Sequence, residues 1–230
     1  MKIKREKGGR SMKMKKCLFP GVFIVAAAGV VNAASASVIT YGDRTTWTAA
    51  AGTPDFTVDF ESFASDTSFA SAPLDVGPFT LSTNGTAQAG RNIVDVTPFM
   101  FTGVPASFGN ATTDIYVEGP SLTADLTFDT GVRAFFADFL NAGNTSELDL
   151  TLSFAGGGNA DVLVPGPGNQ LVPFGFISTT DTITTIRFNN SVNDGFYIDN
   201  ISASVPEPST LALLGLGLAT FGFRRRCKAN

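Results

Sequence analysis

The side chains able to do chemistry in this chain are nearly all carboxylates. None of its 230 residues is histidine, and its two cysteines, Cys17 and Cys227, lie near the ends. This rules out a Ser-His-Asp triad, a Cys-His pair and His-ligated zinc. Between Ser37 and Ser204 there is no lysine, so no glycine-rich phosphate loop can be completed there. What remains is Asp59, Glu61, Asp138 and Asp199, four acids that fall inside strand-like patterns. A glycosidase would need two such groups about 5 to 9 Å apart across a sugar. Any acidic domain offers such pairs by accident, so enzymatic activity is not expected.

A hard cation is the sharper reading, because calcium takes carboxylates, amide oxygens and carbonyls. On a strand, Asp199 shares a face with Tyr197 and Ile201, while Phe196, Ile198 and Asn200 point the other way. One of those faces is buried, so either Asp199 or Asn200 points inward, and a buried carboxylate needs a partner. The first and last strands of a sandwich are often neighbours, which would bring Asp59 or Glu61 to Asp199. The expected site is a structural calcium ion held by some of Asp59, Glu61, Asp199 and Asn200. The alternative is that backbone N–H groups, Arg187 or Arg133 serve the same carboxylates. The spacing is not that of an EF-hand loop.

Sugar binding would use exposed aromatic platforms. The candidates are Trp47, the one tryptophan, and Tyr197, one of three tyrosines. The 21 phenylalanines are better suited to filling a core, and a packed core position is the alternative for Trp47.

The elements that must position these residues read as β structure. Leu148, Leu150, Leu152 and Phe154 alternate with polar residues, as do Leu122, Ala124, Leu126 and Phe128. That period of two marks half-buried strands. Further strands are expected over 38–41, 56–61, 79–82, 92–96, 114–117, 132–140, 160–164, 172–177, 183–189 and 196–203, with a short helix over 45–51. Gly156-Gly157-Gly158-Asn159, Pro165-Gly166-Pro167-Gly168-Asn169 and Asn193-Asp194-Gly195 read as tight connections. The fold class is therefore all-β: a two-sheet antiparallel sandwich of about ten strands, most simply a jelly roll.

Charge separates this middle from the ends. From Ser37 to Ser204 there are 18 acids and four bases (Arg44, Arg91, Arg133 and Arg187), a balance of −14 that the whole-chain value of −4 conceals. Such a surface repels phosphate backbones, which excludes nucleic acid as a partner. With no cysteine in this segment, stability must come from a core. About 168 residues suffice for one domain burying roughly 70% of its extended surface.

Residues 1–36 pair a basic head with a short apolar body and end in Ala34-Ser35-Ala36, the pattern of a secretory signal peptide that signal peptidase removes. Val31-Asn32-Ala33 is a second cleavage candidate, and Met12 or Met14 an alternative start.

Residues 205–230 form three parts. Val205, Pro206, Glu207, Pro208, Ser209 and Thr210 make a stiff polar lead. Leu211 to Phe223 is free of charge. As a helix it would span about 20 Å, against about 30 Å for a bilayer core. Arg224, Arg225 and Arg226 then form a basic membrane stop, whose long side chains offset the short span by snorkelling.

These residues resemble the PEP-CTERM sorting signal: a Pro-Glu-Pro motif, a short membrane helix and an arginine cluster. The resemblance implies that an integral-membrane exosortase recognises the motif in a Gram-negative, exopolysaccharide-producing cell. It also implies a precursor held in the inner membrane facing the periplasm, then a protein at the cell surface or outside the cell. Asp59-Phe60-Glu61 and Phe196-Tyr197-Ile198-Asp199-Asn200-Ile201 are similar to elements of PEP-CTERM ectodomains, which implies a lectin-like or galactose-binding-like sandwich. The expected organisation is a signal peptide (1–36), a β-sandwich ectodomain (37–204) and a sorting tail (205–230). The expected role is a non-enzymatic surface or matrix protein associated with exopolysaccharide. The alternatives are a carbohydrate-binding module or a carboxylate-based glycosidase.

Overall fold

The computed structural model describes residues 37–84, 92–96, 114–118, 123–141, 147–165, 170–189 and 195–206. The segments expected to be a signal peptide, a membrane helix and a basic stop lie outside these residues, as do most of the loops expected at 165–169 and 193–195. Among the described residues no helix is long and apolar enough to cross a membrane.

Among the described residues fourteen strands and one helix follow in order. They are β1 (Val38–Tyr41), α1 (Arg44–Ala51), β2 (Phe56–Val58), β3 (Thr67–Ser68), β4 (Leu74–Asp75), β5 (Phe79–Asn84), β6 (Ile93–Asp95) and β7 (Asp114–Glu118). β8 (Thr123–Val132), β9 (Ala134–Asn141), β10 (Glu147–Phe154), β11 (Asn159–Pro165), β12 (Leu171–Ser178), β13 (Ile183–Asn189) and β14 (Gly195–Ser204) complete the chain. The first sheet runs β1-β12-β9-β14-β7-β6-β3, with β2 beside the second half of β14, and the second runs β11-β10-β13-β8-β5-β4. The pairings are antiparallel, for example β14 with β9 and β13 with β8.

The strand order identifies the fold as a jelly roll. From β7 to β14 the chain changes sheets at every connection except the β10–β11 hairpin, placing β7-β14-β9-β12 in one sheet and β8-β13-β10-β11 in the other. Each order is that of a double Greek key closed into two facing sheets. The remaining strands extend the edges.

The alternation in the sequence places the core. Ala124, Leu126 and Phe128 of β8 and Leu148, Leu150, Leu152 and Phe154 of β10 are buried. They meet Phe135, Ala137 and Phe139 of β9 and Phe174 and Phe176 of β12. Phe135 stacks on Phe176 at 5.3 Å between centroids, and Phe79 meets Phe128 edge-on at 6.3 Å. Phenylalanine, not a disulfide, fills the space between the sheets.

The other residues of β9 form a second, smaller cluster. Ala134 and Phe136 pack with Trp47 of α1 and Ile177 of β12. Helix α1 thus lies on the outer face of the first sheet. Asp43 caps it with its carboxylate, which accepts from Thr46 N at 2.9 Å and from the Thr46 hydroxyl. Those bonds to Thr46 hold the Asp43 carboxyl below its usual range. Gly175 lies opposite Phe136 in the β12–β9 pairing. A Cβ there would come within 2.3 Å of the Phe136 ring and 2.6 Å of the Phe135 carbonyl, so the ring can lie over the strand only because residue 175 has no side chain.

Two expectations are corrected. The run 132–140 is not one strand: Val132 ends β8, Ala134 begins β9, and the chain changes sheets at Arg133. The two-residue strands β3 and β4 were not expected, because two residues show no period. The glycine-rich hairpin falls where expected, with Gly157 and Gly158 at φ 88° and 85° between β10 and β11.

Candidate functional site

The acids singled out in the sequence meet on the outer face of the first sheet, where β14 is broken by a bulge. The β14–β9 register shifts between Asp199 and Ser202, and Asn200 takes φ 52° to make the extra step. Asparagine adopts this left-handed conformation more readily than most residues. Ordinary alternation after the inward Ile198 turns Asp199 outward, beside Asp138 of β9, its direct register partner, and the extra residue returns Ile201 to the core. Asp199 is nevertheless only 3% exposed.

One amide holds the pair together. Asn200 Nδ2 donates to Asp138 Oδ2 at 3.0 Å and to Asp199 Oδ2 at 3.2 Å, while Asn200 N donates to Asp199 Oδ1 at 2.6 Å. Arg44, the first residue of α1, closes the other side. Its Nη2 is 3.6 Å from Asp138 Oδ1 and donates to the Asn200 carbonyl at 2.9 Å. Its Nη1 donates to Ser202 Oγ at 2.7 Å, and its Cζ stands 4.5 Å above the Phe136 ring.

Asp59 and Glu61 reach the same region from the turn after β2. Between them Phe60 is forced to φ 59°, an unusual value for a bulky residue. Burial explains why it is tolerated: the Phe60 ring sits in the main core, 6.3 Å from Phe79. With Phe60 anchored inward, Asp59 and Glu61 stay at the surface, and Glu61 N donates to Asp59 Oδ1 at 3.2 Å. Burial pushes the Asp199 carboxyl up to about 7; the Asn200 N–H opposes this, and the negative charges of Asp138, Glu61 and Asp59 add to it.

The four acids therefore share a field, but among the described residues no three acidic side chains converge closely enough to hold a metal ion. Their oxygens suit a hard cation. Asn200 does not yet suit one, because it turns its NH₂ toward the carboxylates, where a cation would otherwise sit. The alternative basic partners lie elsewhere. Arg187 makes a bidentate pair with Asp125 on the second sheet, at 2.7 and 2.8 Å, which raises the Arg187 pKa. Arg133 N bonds Ser204 O at 2.7 Å at the β8–β9 corner. Arg44 is the cation sequence reasoning missed, since no local pattern links residues 158 positions apart.

The glycan candidates are corrected. Trp47 is 0% exposed, 5.4 Å from the Phe136 ring, with Nε1 donating to the Phe176 carbonyl at 3.4 Å. Tyr197 is 2% exposed. A ring without an accessible face cannot stack on a sugar.

The start of the tail is part of the folded body. Asp55 N donates to Ala203 O at 2.9 Å, and Val205 N donates to Asp55 Oδ2 at 2.7 Å. Val205 packs against the main core. Pro206 borders two clefts, one of about 410 Å³ with Ala51 and Ser204, the other of about 400 Å³ with Thr180 and Thr182. Glu207 to Asn230 lie outside the described residues.

Residues 204–226 match the PEP-CTERM protein-sorting motif. No curated protein matches the chain. Among solved structures, the chain is similar to a family 29 carbohydrate-binding module, with a TM-score of 0.33, 16% identity, and coverage of 42% of this chain and 70% of that one. A variant of such a module complexed with mannohexaose gives 0.34, 12%, 40% and 72%. One complexed with cellulohexaose gives 0.33, 16%, 42% and 72%. TM-scores this low assign neither a ligand nor a function to this chain.

Proposed function

We propose that this protein is an exported, non-enzymatic surface or matrix component whose C-terminal tail is read by a membrane-embedded exosortase. The sorting motif itself means export, with membrane anchoring before processing. The observation that carries the reading is where the motif begins: at Ser204, the last residue of β14. A β-sandwich cargo is joined directly to its address. In this reading signal peptidase removes the leader, the precursor waits in the inner membrane with its jelly roll in the periplasm, and the enzyme acts at Val205–Thr210. Association with exopolysaccharide follows from the resemblance of the tail. Replacing Pro206-Glu207-Pro208 with alanines tests the reading: an unprocessed, membrane-held form is expected, and unchanged processing would refute it.

A structural calcium ion at the β14 bulge is the second part of the proposal. Asp199 favours it, as a buried carboxylate beside Asp138 with Asp59 and Glu61 in its field. To hold an ion these four side chains would have to draw in from the positions they take here, and Asn200 would join only with its amide reversed. The ion would supply positive charge that Arg44 alone does not, fixing the turn after β2 to the last strand.

A further inference from the structure

We propose that the end of the jelly roll bearing Ser37 and Pro206 is its membrane-facing pole, resting against the lipid headgroup layer while the tail is in place. The inference rests on the anchoring reading above and adds an orientation to it.

The strand register places the two ends of the described body together. Val38 pairs with Ser178, Ile177 with Ala134, and Ala134 with Ser204. The start of β1 and the end of β14 therefore lie in one row across β1, β12, β9 and β14. Three strand spacings separate them, about 14 Å. Backbone bonds tie the row: Ser37 O accepts from Thr179 N at 2.9 Å, Arg133 O from Ser178 N at 2.9 Å, and Ser204 O from Arg133 N at 2.7 Å. The residues before Ser37 and those after Pro206 thus leave from the same pole.

The tether is short. Pro206 is packed on the body, and four residues separate it from Leu211, where the charge-free run begins. Fully extended, that interval covers no more than about 18 Å. The body cannot swing far from the bilayer or present its other pole.

The chemistry of the pole suits headgroups. Thr179 and Thr180 are exposed hydroxyl residues, and Arg133 is an exposed cation. Two acids at this pole keep their charge while accepting backbone amides, Asp181 from Gly156 N at 2.6 Å and Thr182 N at 2.7 Å, and Asp55 from Val205 N, so the contact rests on hydrogen bonding to headgroups rather than on net positive charge.

The two ends of β12 provide the test. The full chain, carrying Cys17→Ser and Cys227→Ser, is placed in nanodiscs without any processing enzyme. A fluorophore is attached at Thr180→Cys or at Gln170→Cys, and an acceptor dye at the lipid headgroups. The ends of β12 that separate the two labels, Leu171 and Ser178, stand about 24 Å apart along the strand. Strong transfer from position 180 and weak transfer from position 170 is expected. Equal or reversed transfer overturns the orientation while leaving anchoring intact. Proximity at 180 that appears only after the processing enzyme is added assigns the pole to that protein and overturns the lipid contact. A chain that stays out of the nanodisc, with neither label giving transfer, overturns the anchoring reading as well.

Discussion

Asp199 of β14 and Asp138 of β9 face each other across the same strand pair, and the Asn200 side-chain amide donates to both. Two carboxyl groups, Asp199 buried and Asp138 half-buried, are held by one neutral amide and one guanidinium, that of Arg44. The body is least comfortable electrostatically here, so it should respond here to cations and to pH.

Calcium should raise the melting temperature relative to chelator. At about a hundred times Kd, a ligand specific for the native state adds about 2.7 kcal/mol, or about 5 to 10 °C for a domain of this size. Asp199→Asn should abolish the difference. Identical melting curves with calcium and with chelator would remove the site.

In chelator, stability should fall as pH rises from about 4 to about 7. The Asp199 carboxyl is pushed up to about 7 in the fold, from an ordinary value of 3.8. Within that window the native state keeps a proton that the unfolded chain has lost, so stability declines as pH climbs. The contribution is full below the unfolded value and gone above the folded one. Asp199→Asn should flatten this slope in urea titrations run across the window. A wild-type slope of opposite sign would contradict the assignment.

Gly175→Ala should destabilise the fold by about 1 to 3 kcal/mol, the usual cost of overpacking. The new methyl meets the Phe136 ring and the Phe135 carbonyl at once, so either β12 or the ring must move. Urea midpoints measure the loss, and an unchanged midpoint would show that the ring does not lie over the strand as described.

Trp47→Ala should cost about 3 to 5 kcal/mol as a cavity mutation. The wild-type emission of this sole tryptophan should be blue-shifted in the native state and move to the red on unfolding. Native emission at the solvent-exposed wavelength would return Trp47 to the surface as a sugar platform.

Much of the fold was legible because its inner positions recur every second residue. Leu148 to Phe154 shows this best, and the outer positions between them are polar. The Gly157-Gly158 turn was legible because its backbone demands positive φ. The β8–β9 boundary was not, since apolar residues continue through Val132 and Ala134 while the chain changes sheets at Arg133. At the site, Asp59, Glu61 and Asp199 could be associated, though the strand beside β14 is β2 and not the first strand, β1, which pairs with β12. Asp138 could be singled out but not paired, and Arg44 could not be found, because only the packing of α1 brings it there. Trp47 looked available for binding because composition cannot show that α1 lies over Phe136.

The central claim is that residues 204–226 direct export and processing of a folded jelly roll. Mass spectrometry of the mature protein, reading both termini, tests it most directly. A new N-terminus at Ser37, or at Ala34 if the second cleavage candidate is used, together with a C-terminus trimmed within or next to Val205–Thr210, is predicted. An intact chain from the leader to Asn230, recovered from the soluble intracellular fraction, would contradict it.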